Sequence, residues 1–255
     1  AASHDLRQPT HALGIFISRL AQLSHDEHTA ELIRNLESSV MAMQNLLSGL
    51  LDISRLEAQA VEVDKKAVDL EQLFMQLRHD LEPLAQDKGL RGRLRSKKLW
   101  VHSDPALLYR IALNLVGNAL RYTERGGVLV AVRLCQDGRH VKLQVIDSGI
   151  GIAPEHQQAV FLEFYQVAEV ARPSGKGLGL GLSIVQRTAA LLEHPFQMAS
   201  RLGHGTCFTL VLPLTRLQQA ASVAAPVLAS DDLRDVRILV VEDDLLVRTA
   251  LAGLL

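Results

Sequence analysis

The sequence predicts an α+β protein in which a helical hairpin precedes a sandwich of helices and strands, and three observations support this fold class. Residues 5–57 carry apolar side chains at heptad-like spacing. From residue 68 to residue 213, helical patterns alternate with strand patterns. An apolar run then ends in three acids at residue 244, which is typical of a buried parallel strand whose site lies at its carboxyl end.

Composition limits the class of protein. The 255 residues predict about two domains, and 48% hydrophobic with 22% charged residues is ordinary for a chain with buried cores. The net charge of −1 predicts neither a nucleic-acid partner nor membrane contact. Cys135 and Cys207 lack metal-site spacing, which excludes a disulfide scaffold and a thiolate zinc site and fits a reducing compartment.

Targeting signals are also absent from the sequence. No apolar run approaches the roughly 18 residues that span a bilayer, and there is no signal peptide. The chain begins Ala1-Ala2-Ser3 without an initiator Met. We therefore expect a cytoplasmic fragment of a longer protein, whose upstream segments could attach the parent to a membrane.

The hairpin is predicted from two apolar stripes separated by the polar stretch Ser24–Glu27. The stripes comprise Leu6, Leu13, Ile17 and Leu20, then Leu32, Leu36, Val40, Met43, Leu47 and Leu50, widened by Ile33, Leu46 and Ile53. A lone hairpin cannot bury so wide a face. A homodimer would bury it in a four-helix bundle, and packing on the rest of the same chain is the alternative.

The predicted domains are a dimerisation domain at 1–66, a sandwich at 67–214, a linker at 215–233 and the start of another domain at 234–255. Asp104 is the expected N-cap of one sandwich helix, with Pro105 at its first position. The predicted sandwich elements are a helix Leu70–Asp87, a strand Leu99–His102, a helix Asp104–Tyr122, strands Val128–Leu134 and Val141–Ile146, a helix Gly179–Leu192, and strands Phe196–Arg201 and Thr206–Leu212.

Polar residues follow one face of the Asp104–Tyr122 helix. Asn114, Asn118 and Tyr122 are four residues apart, and Arg121 lies beside them. Amide oxygens can ligate Mg²⁺, and an arginine can pair with phosphate. Hydrogen bonds between helix and sheet are the alternative explanation.

Two glycine-containing segments predict further ligand contacts. Asp147 ends an apolar strand and is followed by Gly149 and Gly151, which suits a carboxylate that accepts from an exocyclic amine beside a flat ring, although an ordinary turn has the same pattern. Residues 174–183 run glycine-rich into a helix, where backbone N–H groups bind phosphates. Their spacing matches neither a dinucleotide fingerprint nor a P-loop.

Taken in order along the chain, these motifs resemble those of a known protein family. The Asn-containing helix, Asp147–Gly151, Phe161–Tyr165, the glycine-rich segment and Gly203–Thr206 resemble the nucleotide-binding boxes of the histidine-kinase ATPase domain. This GHKL (Bergerat) fold is shared with gyrase, mismatch-repair and chaperone ATPases. Ser3-His4-Asp5-Leu6-Arg7-Gln8-Pro9 resembles the phosphoacceptor box of the kinases.

The resemblance implies an ATP-dependent protein-histidine kinase, a homodimer that autophosphorylates His4 with Asp5 as the orienting base. Gln8 stands where many of these kinases carry a Thr implicated in phosphatase activity. The implied Mg²⁺ ligands are Asn118 and Asn114, and the implied ATP-binding residues are Asn114, Asn118, Arg121, Tyr122, Asp147, Gly149, Gly151, Lys176, Gly177, Gly179, Gly181, Leu182 and Thr206. A degenerate kinase acting as a dimeric scaffold and a conformational ATPase without phosphotransfer remain alternatives.

The C-terminal acids resemble part of a second signalling domain. Ile238–Val241 followed by Glu242-Asp243-Asp244 is similar to the first strand and acidic pocket of a receiver domain. Asp243 and Asp244 would belong to that incomplete pocket. The parent would then be a hybrid sensor kinase of a two-component phosphorelay, and His4 would pass its phosphoryl group to a receiver aspartate of the same chain or of a separate response regulator.

Two other features are interpreted as structural. His79-Asp80-Leu81 repeats the His-Asp-Leu of the His4 box, but it lies inside a sandwich helix and its following residues differ. We interpret His79 as structural or solvated. The basic run between Arg91 and Lys98 is interpreted as a solvated strand edge in preference to a nucleic-acid patch.

Overall fold

The computed structural model describes residues 13–14, 16–17, 20, 27–58, 61–167 and 178–215, in two compact units that divide after Asp52. Several predicted site residues therefore lie outside the described residues: His4, Asp5, Gln8, Lys176, Gly177, Asp243 and Asp244. None of the helices described is long and apolar enough to cross a membrane.

The first unit contains helical residues between 13 and 20 and most of helix α1 (Glu27–Glu57). Ile17, Ile33 and Val40 form a small buried cluster there. Much of the predicted apolar stripe is exposed, including Leu13, Leu20, Leu32, Leu36, Met43 and Leu50. The unit thus presents the unburied apolar face that the sequence predicts for a dimerising hairpin.

The second unit contains one sheet and three helices. Its elements are β1 (Lys66–Asp69), α2 (Leu70–Asp87), β2 (Arg91–Arg95), β3 (Trp100–Ser103), α3 (Pro105–Tyr122), β4 (Gly127–Leu134), β5 (His140–Asp147), two 3₁₀ turns (Pro154–His156 and Ala159–Phe161), α4 (Gly181–Leu191), β6 (Phe196–Arg201) and β7 (Gly205–Thr215). The predicted elements are confirmed with small shifts. Helix α4 begins two residues later than expected because Gly179 has a left-handed φ of +70°.

The sheet has the order β1-β3-β7-β5-β4-β2, and β6 also pairs with β7. All these pairs are antiparallel except β2 with β4, which run parallel. On β5, Val141, Leu143 and Val145 are fully buried and share one core with residues of α2, α3 and α4. The helices therefore cover one face of the sheet, as a two-layer sandwich requires.

Helix α3 forms where the sequence places its start signals. Asp104 Oδ1 accepts hydrogen bonds from the N–H groups of Ala106 at 2.9 Å and Leu107 at 3.0 Å. Pro105 occupies the first helical position, where its missing N–H costs nothing. One stripe of α3 is buried in the core and includes Leu108, Ile111, Leu115 and Val116. The polar stripe on the other side of the helix therefore faces away from the core.

A buried histidine makes the stability of this unit pH-dependent. His194 is 5% exposed, its Nε2 shares a 2.9 Å hydrogen bond with Ser103 Oγ, and burial lowers its pKa from 6.5 to about 4. The unfolded chain binds this proton at higher pH than the folded chain does. Stability is therefore full above pH 6.5 and is lost as the pH falls toward 4.

We expect the free energy of unfolding to fall by about 2 kcal/mol through His194 alone between pH 7.5 and pH 5. His194→Gln keeps a hydrogen-bonding partner for Ser103 but carries no titrating group. Urea unfolding of both proteins at the two pH values checks this. The same pH dependence in the variant would show that another group is responsible.

Candidate functional site

The polar stripe of α3 faces the start of α4. Asn114 Nδ2 donates to the carbonyl of Arg110 at 2.9 Å, which leaves Asn114 Oδ1 available as an acceptor. A Cβ added to Gly181 would lie 3.2 Å from Asn114 Oδ1, 3.6 Å from Asn118 Nδ2 and 3.8 Å from Asn118 Oδ1. Two side-chain amides therefore lie against the N-terminal end of α4, and a glycine there leaves the space beside them open.

The C-terminal end of α3 is held from two sides. Lys88 Nζ donates to the carbonyls of Leu120 at 2.9 Å and Arg121 at 3.3 Å. The carbonyl of Tyr122 accepts from Ile150 N–H at 3.3 Å. These contacts fix the position from which the exposed side chains of Arg121 and Tyr122 extend.

Lys88 belongs to no sequence motif that predicts these contacts. The sequence shows only that Lys88 precedes Gly89 at the end of α2, a pattern that is typical of a helix C-terminus. Which backbone carbonyls such a cation reaches depends on the packing of α2 against α3, and that is a tertiary property.

Asp147 ends β5 as a largely buried carboxylate. Its side chain is 9% exposed, and its Oδ1 accepts from Gly149 N–H at 2.8 Å and Thr206 N–H at 3.2 Å. Burial raises the pKa of this carboxyl above its usual value despite those bonds. Both of these hydrogen bonds go to Oδ1, so Asp147 Oδ2 is the carboxylate oxygen that can receive a donor from a ligand.

Glycines allow backbone segments to pack closely around Asp147. Gly151 has a left-handed φ of +67°, and a Cβ there would clash with the backbone of Arg201. Gly203 N–H donates to the carbonyl of Ile150 at 2.6 Å. The Asp147–Gly151 and Gly203–Thr206 segments, separate in sequence, therefore meet beside the same carboxylate.

The Phe161–Tyr165 segment lies at the start of α4. Phe164 N–H donates to the carbonyl of Gly179 at 3.1 Å, so residues on both sides of the undescribed stretch 168–177 are joined. Arg187 contacts Glu163 and also pairs with Glu57 at 2.8 Å. Arg187 has no local signal in the sequence, because its partners are more than 20 residues away and only the fold brings them together.

The structure thus assembles the predicted residues into two adjoining clusters. Asn114, Asn118 and Gly181 form the first. Asp147, Gly149, Gly151 and Thr206 form the second, and the carbonyl of Tyr122 links the two by its contacts with residues 149 and 150. Leu182 packs against the core below this surface. The arrangement offers a buried carboxylate for an amine-bearing ring and amide oxygens nearby.

The donor set of the first cluster fits a hard divalent cation. Within the described ranges, no three His, Cys, Asp or Glu side chains are grouped as metal ligands. The side-chain amides of Asn114 and Asn118 lie at the same place, and amide oxygens are ligands that Mg²⁺ accepts while it keeps waters and binds phosphates. A magnesium–phosphate group at this place is therefore chemically compatible with the residues present.

Comparisons with known proteins extend this description. Residues 103–216 match the family described as histidine kinase-, DNA gyrase B- and HSP90-like ATPase. The chain is 30% identical over 217 residues to sensor histidine kinase RppB of Synechocystis, covering 84% of this chain and 48% of that protein. It is 31% identical to the aerobic respiration control sensor protein ArcB of Escherichia coli, covering 82% of this chain and 27% of ArcB.

A solved structure has the same fold. The crystal structure of full-length ShkA in complex with AMPPNP aligns with a TM-score of 0.70 and 29% identity, covering 85% of this chain and 45% of ShkA. The chain therefore spans about half or less of the length of these proteins.

Proposed function

The chain belongs to the sensor histidine kinases of two-component systems, and from this premise we propose that it is an ATP-dependent protein-histidine autokinase. It phosphorylates His4 and passes the phosphoryl group to a receiver aspartate. The observation that carries the proposal is the largely buried Asp147 carboxylate, whose Oδ1 is held by the N–H groups of Gly149 and Thr206 while Oδ2 can accept from a ligand beside the glycines of the same cluster.

ATP binding is assigned to the two clusters. Asp147 Oδ2 accepts from the exocyclic amine of adenine, while Gly149, Gly151 and Thr206 leave room for the ring and hold the carboxylate in place. Arg121 and Tyr122 surround the phosphates and the ribose. The remaining phosphate contacts come from the glycine-rich segment: Lys176, Gly177, Gly179, Gly181 and Leu182.

Asn118, assisted by Asn114, would hold Mg²⁺, which when bound neutralises negative charge on the phosphate oxygens. Arg110 positions Asn114, because its carbonyl binds the amide nitrogen and turns the amide oxygen toward the site. Phosphoryl transfer needs mainly positioning and charge stabilisation from the protein.

In the transfer step, one ring nitrogen of His4 attacks the γ-phosphorus of ATP. A nitrogen–phosphorus bond forms, the bond from the γ-phosphorus to the bridging oxygen breaks, and ADP leaves with the electron pair of that bond. Asp5 holds the proton on the other ring nitrogen, so the attacking nitrogen keeps its lone pair. Gln8 is the position at which a water could be oriented for dephosphorylation.

The proposed organisation is a phosphoacceptor and dimerisation domain at 1–66, the ATP-binding domain at 67–214, a linker at 215–233 and the start of a receiver at 234–255, with Asp243 and Asp244 in its acidic pocket. The partners are a second copy of the chain and a receiver of the same or another protein. The proposed location is the cytoplasm.

Incubation with ATP labelled in the γ or the α phosphate tests the proposal. We expect incorporation from γ-labelled ATP only, stable in alkali and lost in acid, as a phosphoramidate bond requires. No incorporation would favour a degenerate scaffold. Release of labelled inorganic phosphate without any protein-bound label would favour a conformational ATPase.

Gly181→Ala should weaken ATP binding by about tenfold without unfolding the protein. Gly181 has no left-handed backbone, but the new methyl group would lie 3.2 Å from Asn114 Oδ1. Gly117→Ala is the matched control, since its methyl group would meet nothing within 4 Å in the middle of α3 and should stabilise that helix. Calorimetric titration with ATP compares the two, and equal affinities would contradict the placement of Gly181.

Leu36→Glu should convert the dimer to a monomer. Leu36 belongs to the apolar stripe and is 49% exposed in the single chain, so a charge there is tolerated by the monomer but would be buried unpaired in a four-helix bundle. Light scattering after size exclusion gives the mass of each. Ser38→Glu, at an exposed position on the opposite side of the same helix from Leu36, is the control that should stay dimeric. A wild-type monomer, or a dimeric Leu36→Glu, would contradict this assignment.

A further inference from the structure

The sheet carries a concentration of positive charge that the proposed function does not use. Because Val141, Leu143 and Val145 face the helices, the alternate residues of β5 face away from them. The strand register extends this outer face to β4 and β2. The outer positions of the three strands are Arg91, Arg93, Arg95, Leu129, Ala131, Arg133, His140, Lys142, Gln144 and Ile146.

We call the five cations Arg91, Arg93, Arg95, Arg133 and Lys142 the basic face; no acidic residue shares these outer positions. All five are exposed, and in the part of the chain that the structure describes none of them forms an ion pair. Adjacent strands lie about 4.8 Å apart, so the five charges share a patch about 10 Å wide.

Part of this charge is placed unfavourably for an isolated protein. Arg133 and Lys142 are direct cross-strand partners, and like charges at such positions repel. Two more exposed cations, Lys97 and Lys98, follow the end of β2. Because β2 runs parallel to β4 and its last residue pairs with Ala131, the chain leaves β2 in the direction of Arg133. The nearest acid in the β4–β5 turn, Asp137, already pairs with His140 at 2.6 Å. The repulsion is relieved when an anionic surface covers the face.

The shape and the single sign of charge of this face indicate its partner. The basic face extends over three adjacent strands of a sheet, and cations spread over such a broad surface match the anionic headgroups of a bilayer. A nucleic acid would instead require aromatic platforms or a groove, and none of the outer positions of β2, β4 and β5 carries Phe, Trp or Tyr.

We propose that the basic face binds the surface of anionic phospholipid membranes. The net charge of −1 does not reveal this face, because its positive charges are balanced by negative charges elsewhere in the chain. The ATP-binding clusters lie between the helices and the strand ends and not on the outer face, so they stay open when the sheet contacts a membrane. The inference is independent of the kinase activity.

Sedimentation with extruded vesicles tests the proposal on the full 255-residue chain. The probes are vesicles of phosphatidylcholine alone and vesicles with one third phosphatidylglycerol. We expect binding to the anionic vesicles only, and binding should weaken steeply with salt. Failure to bind anionic vesicles at low salt, or equal binding to both compositions, would overturn the proposal.

Arg93→Glu combined with Lys142→Glu should weaken vesicle binding by at least about 50-fold. The second change places a carboxylate opposite Arg133, so it should not harm folding. Arg34→Glu combined with Arg78→Glu is the control with the same change of net charge at exposed helical positions, and it should bind within about threefold of wild type. Equal losses in the two double variants would contradict the assignment to this face.

A short DNA duplex separates a membrane from other polyanions. We expect the wild-type chain to bind anionic vesicles at a salt concentration at which it does not bind the duplex. Binding to the duplex as tight as to the vesicles would indicate a general polyanion surface and overturn the lipid assignment.

Discussion

His4→Gln should remove all ATP-derived, acid-labile label from the protein, a loss of at least about a hundredfold. Glutamine keeps a polar side chain of similar reach but has no nucleophilic ring nitrogen, so no nitrogen–phosphorus bond can form. ATP binding should be unchanged, because the clusters around Asn114 and Asp147 are untouched. Filter-bound label from γ-labelled ATP and calorimetric ATP titration measure the two properties separately.

His79→Gln is the matched control for this experiment. His79 also precedes an aspartate, its Nδ1 lies 3.0 Å from Asp80 Oδ1, and its side chain is 89% exposed. The sequence interpretation of His79 as solvated is confirmed by that exposure. If exposure and an adjacent carboxylate were sufficient for phosphorylation, His79 would qualify. We expect full labelling of His79→Gln, and label that survives in His4→Gln would contradict the phosphoacceptor assignment.

Asp147→Asn should weaken ATP binding by about a hundredfold or more while leaving the fold intact. The asparagine oxygen can still accept from Gly149 and Thr206. Its NH₂ group would replace Oδ2 and present a donor to the exocyclic amine of adenine, which is also a donor. Calorimetric titration with ATP measures the loss, and an inosine nucleotide, which offers an acceptor there, should recover part of it.

The same substitution should not lower thermal stability. Burial raises the pKa of Asp147, so the folded state favours the protonated acid and its ionised form costs stability at neutral pH. The contribution is favourable below the ordinary pKa of 3.8 and is lost as the pH rises. At pH 7.5 we expect an equal or higher melting temperature for the variant, and a large drop would show that the carboxylate is structural.

Asp137→Asn provides a control for the change of charge. Asp137 is exposed in the β4–β5 turn, and its pKa is lowered chiefly by a hydrogen bond to His140. Its replacement changes net charge by the same amount as Asp147→Asn. ATP affinity should remain at the wild-type value, and a comparable loss of affinity would mean that the Asp147 effect is not local.

Local signals predicted much of the sandwich. Asp104 and Pro105 marked the start of α3, and their cap geometry is present as expected. The alternation along β4 and β5 marked two adjacent strands because each has one buried and one outer face. Convergence of the Asn114 and Asp147 segments followed from the family resemblance rather than from any local pattern.

Tertiary relationships were not predictable in the same way. Strand β1 was not predicted, since Lys66–Asp69 has four residues and only one buried side chain. The run that contains β2 was predicted as a solvated strand edge, and β2 is indeed the last strand of the sheet. Its parallel pairing with β4 depends on the path of the chain through α3, which no short pattern encodes. The contacts of Lys88 and Arg187 are non-local for the same reason.

The most direct test of the central claim is to locate the phosphoryl group after incubation with ATP and Mg²⁺. Peptide sequencing by mass spectrometry under mildly alkaline conditions preserves phosphohistidine and distinguishes it from phosphoserine. We predict phosphorylation of His4 in the wild-type chain and, at an ATP concentration well below saturation of the variant, a strongly reduced level in Asp147→Asn. Phosphate found on Ser3 or on His79, with His4 unmodified, would contradict the account.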